Sequence, residues 1–135
     1  MILVSACLAG MKCRYDGNDT FKQDIFDLVL KGEAIPVCPE TMGGLEVPRE
    51  PAERVGDKVI SKSGRDVTIE FKKGAEKTLE IALINKIELA ILKSKSPSCG
   101  VSKIYDGSFS SKLIPGNGIT TELLMKNGIR VINEK

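Results

Sequence analysis

The chain has 135 residues, with 20 Lys and Arg against 18 Asp and Glu (net +2), 41% hydrophobic and 28% charged residues. That size and composition describe one soluble globular domain with a core of its own. The charge is too balanced for electrostatic binding to nucleic acid or an anionic membrane, and no apolar run approaches the roughly 18 residues of a membrane span.

Ile2 to Ala6 reads as a short buried strand. Val4-Ser5-Ala6-Cys7 has the look of a lipoprotein cleavage site. No Lys or Arg precedes it, however, and the apolar stretch is far shorter than the about 7–15 residues of a signal h-region. The expectation is a first strand in a cytoplasmic protein, where cysteines argue for metal or catalysis over structural disulfides.

Residues 7–19 form a long loop with turn signals at Asp16-Gly17 and Asn18-Asp19. Thr20 caps a helix to about Lys31, with Phe21, Ile25, Leu28 and Val29 on one face and Gly32 as its stop. Residues 34–37 are a second strand, in which Pro36 suits a place where its missing N–H does no harm. These elements make a βαβ unit, hence a parallel pair with a right-handed crossover. Residues 39–56 show no periodicity and read as one long irregular segment, of a kind that is often functional.

Residues 58–61 add a small strand. Asp66 or Thr68 starts the longest helix, to about Lys86, with Val67, Phe71, Ala75, Leu79 and Ala82 as its apolar stripe. Ile87 to Leu92 is a central strand, and residues 93–116 are a Ser- and Gly-rich loop. A last helix, about 119–127, stops at Gly128 before the strand Ile129 to Ile132. The alternation predicts an α/β fold: a single three-layer, Rossmann-like domain over 1–135 with a mostly parallel sheet. Tyr-Asp-Gly follows Cys13 and recurs after Cys99, which reads as two Asp-Gly turns.

There are four cysteines and no histidine. Cys7, Cys38 and Cys99 leave predicted strands in the direction where open α/β sheets bind ligands. Thiolates select zinc, copper(I) or iron–sulfur clusters. Zinc sites usually show paired ligands such as Cys-x2-Cys; here the spacings are 6, 25 and 61 residues. Dispersed cysteines suit a larger object, an iron–sulfur cluster, better than one ion. The competing reading is that they are small buried hydrophobes.

Without histidine, acid–base chemistry near neutrality falls to carboxylate, thiol, lysine or water. Glu40, after Cys38-Pro39, is the candidate, because burial beside a cluster raises its pKa. Ser96 can donate a hydrogen bond, and Gly100 allows a backbone N–H to approach a sulfur. Glu40 and Ser96 are equally readable as loop-capping residues. Gly43-Gly44 is no phosphate loop. Arg49 and Arg54 are expected to be solvated, although an arginine in a site-forming loop can hold an anion. Tyr15 either stacks on a planar ligand or simply packs.

Val4 to Gly10, Arg14-Tyr-Asp-Gly17, Pro36-Val-Cys38-Pro-Glu40, Gly43-Gly44, Pro48-Arg49, Lys93 to Gly100, Ile104 to Gly107 and Lys112 to Gly116 together resemble the bacterial thiouracil desulfurase (TudS-type) family, over essentially the whole chain. The resemblance implies an oxygen-sensitive 4Fe-4S cluster, lost in air, held by Cys7, Cys38 and Cys99 alone, so that one iron is open. It implies a non-redox desulfuration of a small thio-substrate such as thiouracil, releasing sulfide. In that reaction the open iron is a Lewis acid, Glu40 activates water, and Ser96 holds substrate or a shifting proton, with Ser94 and Ser98 close by. Cys13 falls outside the implied ligand set and is either a bystander or a fourth ligand. The alternatives are a structural or redox protein whose four cysteines close around zinc or a complete cluster, and a binding module with inert thiols. No nucleic-acid or membrane partner is expected; the physiological substrate and the oligomeric state are not legible.

Overall fold

The computed structural model describes residues 1–134, so Lys135, the last residue of the expected 1–135 domain, lies outside the described residues. Four parallel strands form the central sheet: β1 (Ile2–Ser5), β2 (Ala34–Val37), β5 (Leu89–Leu92) and β8 (Arg130–Asn133), in the order β2-β1-β5-β8. Pro36 sits on β2 at the sheet edge, opposite Val4, where a missing donor breaks no ladder.

Neighbouring strand residues point to opposite faces, and both faces are covered. Leu3, Val37, Leu92 and Val131 pack with Ala82 of α3 (Thr68–Ile84) and Leu124 of α4 (Ile119–Lys126). On the other face Val4 and Ala34 pack with Leu8 and with Ile25 of α1 (Gln23–Leu30). Burial on both sides is what parallel strands require, and it gives the α/β three-layer fold. No helix among the described residues is long and apolar enough to cross a membrane.

Several elements differ from expectation. Ala6–Ala9 turns into a short 3-10 helix directly after β1. Thr20 does not cap α1. Its N–H donates to the Cys7 carbonyl (3.0 Å) and that of Lys22 to the Leu8 carbonyl (2.8 Å), so the chain stays extended at Lys22 and the helix starts at Gln23. Phe21 is thereby left off the helix face and 48% exposed.

The segment 39–56 is not irregular throughout: α2 (Pro39–Met42) begins it and β3 (Ala52–Val55) ends it. β3 pairs antiparallel with β4 (Lys58–Ser61) across a two-residue Gly56-Asp57 turn, with Gly56 at φ +61°. Likewise the expected loop 93–116 contains a hairpin of β6 (Lys103–Tyr105) and β7 (Leu113–Pro115). Both hairpins lie outside the parallel sheet.

The segment after Cys38 is seated by two glycines. A Cβ on Gly43 would fall 1.9 Å from the Glu70 carbonyl oxygen, and one on Gly74 would fall 1.8 Å from the Pro39 carbonyl oxygen, so α2 lies backbone to backbone on α3. Gly74→Ala is therefore expected to destabilise the protein by about 3 kcal/mol through overpacking against rigid backbone. That corresponds to a fall of about 10 °C in thermal midpoint for a domain of this size.

Candidate active site

The carboxyl ends of β1, β2 and β5 open on one cavity of about 530 Å³. All four cysteines line it, together with Glu40 and Ser96. Cys7 is delivered by the 3-10 turn after β1, which closes with the N–H of Gly10 (φ +93°) on the Cys7 carbonyl at 3.2 Å. Cys38 directly follows β2 and heads α2.

Cys99 sits at the end of a turn organised by Ser96, whose Oγ accepts the N–H groups of Ser98 and Cys99, each at 3.0 Å. The Cys99 carbonyl accepts from Thr121 Oγ1 (3.0 Å) and from Asn133 Nδ2 (3.1 Å), which fixes it to α4 and β8. Gly100 itself turns its N–H away from the cavity. The N–H binds the Ser96 carbonyl at 2.9 Å, and a Cβ there would lie 2.8 Å from that same oxygen, so glycine is needed for close packing.

Among the three serines, Ser98 is fully buried against Thr120 Oγ1 at 2.8 Å and does not line the cavity. Ser94 donates its Oγ hydrogen to Glu134, 3.0 Å away. Ser96 lines the cavity with its oxygen occupied as an acceptor, which leaves its hydroxyl hydrogen as a donor.

Arg49 and Arg54 are not solvated: their side chains are 9% and 11% exposed. Arg49 Nε and Nη2 each lie 3.2 Å from Glu40 Oε1, and Nη2 also donates to the Cys13 carbonyl at 3.0 Å. It thus ties the Cys13 loop to α2. Arg54 donates to the Asn117 carbonyl and pairs with Glu122 Oε2, both at 2.7 Å. Burial pushes the Glu40 carboxyl above its usual range; Arg49 opposes the shift, and the Cys38 thiolate adds to it.

The thiols divide by surroundings. Burial pushes Cys99 up to about 12 and raises Cys7, against a pull from the Thr20 hydroxyl and from Lys93 and Arg14 in the cavity wall. Cys38 can donate to the Cys13 carbonyl, 3.7 Å away, or accept from the Cys13 thiol and Thr41 as a thiolate. The Cys13 thiol is the largest cause that lowers Cys38, with Thr41 and Arg49 pulling the same way, and Cys13 is raised by that same pairing and by burial.

Among the described residues, no three of the His, Cys, Asp and Glu side chains converge closely enough for a single metal ion. A tetrahedral zinc would draw its sulfurs to within about 4 Å of one another. Four soft donors spread around a 530 Å³ cavity fit a cluster, whose metal corners are spaced apart. Two further features fit it. Buried thiols such as Cys7 and Cys99 ionise only opposite a cation or metal. In addition, the buried Thr20 hydroxyl lies beside Cys7, where it can donate to a ligated sulfur.

The sequence reading missed Arg49 as the partner of Glu40, as well as Tyr105, Phe109 and Glu53 in the cavity wall. A signal for one of them was present. The two Tyr-Asp-Gly repeats do form turns, with Asn18 N–H on Asp16 Oδ1 (3.0 Å) and Ser108 N–H on Asp106 Oδ1 (2.9 Å). Both tyrosines, Tyr15 and Tyr105, also face the same cavity.

Comparison with known proteins places the chain in a family. A family model described as 2-thiouracil desulfurase matches residues 2–135. The uncharacterized protein YbbK of Bacillus subtilis (strain 168) is 45% identical over 144 residues, covering 99% of this chain and 95% of YbbK. A solved structure described as the 4Fe-4S-dependent thiouracil desulfidase TudS superposes with a TM-score of 0.94 at 47% identity, over 98% of this chain and 89% of that one.

Proposed function

This chain belongs to the 2-thiouracil desulfurase family, and on that premise we propose that it is an iron–sulfur enzyme that replaces the sulfur of a small thiouracil-like compound with oxygen from water. The observation that carries the reading is the meeting of Cys7, Cys38, Cys99, Glu40 and Ser96 in one cavity at the carboxyl edge of the sheet. The reaction is a hydrolysis, C=S plus water giving C=O plus hydrogen sulfide, with no change of oxidation state.

Cys7, Cys38 and Cys99 would hold the cluster. Bound there with one iron lacking a protein ligand, it supplies a soft Lewis acid for a thiocarbonyl sulfur. The chain's own groups handle the protons. Glu40 takes a proton from the attacking water and returns it as the sulfur departs; its raised pKa suits a group that must hold a proton near neutrality. Arg49 fixes the carboxylate through Oε1. Ser96, its oxygen held by two backbone N–H groups, donates its hydroxyl hydrogen to the substrate.

Cys13 in the same cavity supports one second reading, a metal site closed by four cysteines without desulfurase activity. Anaerobic reconstitution separates the two. The expected product is brown protein with about four iron and four sulfide per chain, which releases sulfide from 2-thiouracil and leaves uracil. Colourless protein that binds only zinc, or a full cluster with no sulfide release, would support the closed site.

A further inference from the structure

We propose that Phe109 is the wall against which the flat ring of the substrate packs, and that Glu53 is the residue that positions it. The inference rests on the thiouracil reading above and names the feature of the substrate that the protein recognises. The chain has four Phe, two Tyr and no Trp. Three of those six rings, Tyr15, Tyr105 and Phe109, line the one 530 Å³ cavity. Phe109 belongs to none of the three buried core clusters, so packing the interior does not explain it.

Its backbone is the second observation. Phe109 has φ +56°, a region where a bulky residue is an outlier, and Gly107 (φ +96°) and Ser111 (φ +62°) flank it. Such a conformation persists only where its surroundings impose it, and it concentrates at ligand sites. The imposing group is Glu53 of β3, itself only 8% exposed. Its Oε1 accepts the N–H of Gly107 at 3.0 Å and that of Phe109 at 3.1 Å. The loop is closed at its base by the Asp106 N–H on the Lys112 carbonyl (3.0 Å). It lies so close to the β3–β4 hairpin that a Cβ on Gly107 would fall 2.5 Å from Val55 Cγ2. A buried carboxylate thus holds a left-handed loop so that an aromatic ring faces the cavity. A phenyl face recognises a planar conjugated ring and offers little to an acyclic thioamide. On the thiouracil reading, Phe109 thus recognises the planar ring itself, with thiourea as the discriminating poor substrate.

The test uses cluster-loaded protein and two readouts: affinity for uracil by calorimetric titration, and kcat and KM for 2-thiouracil against thiourea. Phe109→Ala should weaken uracil binding about tenfold, as loss of one base–aromatic stack does. It should raise KM for 2-thiouracil by a similar factor with kcat changed far less, and lower the preference for 2-thiouracil over thiourea correspondingly. Phe109→Tyr should restore the affinity. Glu53→Gln keeps an oxygen that can accept both N–H groups and should behave as wild type, whereas Glu53→Ala should reproduce the Phe109→Ala loss without adding to it in the double variant. Iron content and the visible spectrum should be the same in all of them. Uracil affinity within twofold of wild type in Phe109→Ala, or an equal fall for thiourea and 2-thiouracil, overturns the proposal. If wild-type protein releases no sulfide, the desulfurase reading fails and the uracil affinities alone decide the role of Phe109; wild-type protein that binds no uracil overturns that role too.

Discussion

Glu40→Gln is expected to give protein that loads its cluster normally yet releases sulfide from 2-thiouracil about 10²- to 10⁴-fold more slowly, the range typical of losing a positioned general base. The substitution is chosen to change one thing. Gln has nearly the same volume, and its amide oxygen can still accept from Arg49 Nε and Nη2, which now lie 3.2 Å from Glu40 Oε1. The Arg49 link from α2 to the Cys13 carbonyl can therefore remain, and with it the shape of the cavity. What disappears is the ability to take and return a proton. Because no histidine exists in the chain to substitute, the loss should not be masked. The measurement is single-turnover sulfide release alongside iron content. A rate within a few-fold of wild type in fully loaded protein would remove Glu40 from the proton path.

That prediction could be framed from the amino-acid sequence because the relevant features there are local. Short apolar runs followed by Cys7, Cys38 and, further on, Cys99 mark strand ends, and strand ends in a parallel sheet share an edge. What the sequence could not show depends on contacts between distant segments. Arg49 reads as a surface cation until the loop that holds Cys13, 36 residues earlier in the chain, folds its carbonyl onto the guanidinium. Thr20 reads as a helix cap until its N–H is found on Cys7. Strand β4 was legible at residues 58–61, but its partner β3 and the whole β6–β7 hairpin escaped, because strands of three or four residues carry almost no periodicity. Phe109 was invisible for a similar reason: its place is set by Glu53, 56 residues earlier in the chain.

Cys99→Ser and Cys13→Ser together decide how many cysteines hold the cluster. Cys99→Ser is expected to abolish it: reconstituted protein should be colourless, low in iron and at background for sulfide release. The position offers no substitute. Its backbone is pinned by Thr121 and Asn133, its thiol is buried, and a serine oxygen is a hard donor that would have to ionise in that buried setting. Cys13→Ser is expected to leave iron content unchanged and activity within about threefold of wild type, since surface-loop substitutions that spare fixed contacts have small effects. Cys13 is only partly buried, and the contacts that anchor its loop use the carbonyls of Cys13 and Tyr15, which serine at position 13 retains. Its thiol also lies beside Cys38, and a serine hydroxyl can keep a hydrogen bond there. If Cys13→Ser instead loses both iron and activity, four cysteines close the cluster, no iron is left open to a thiocarbonyl sulfur, and the three-ligand assignment falls with it.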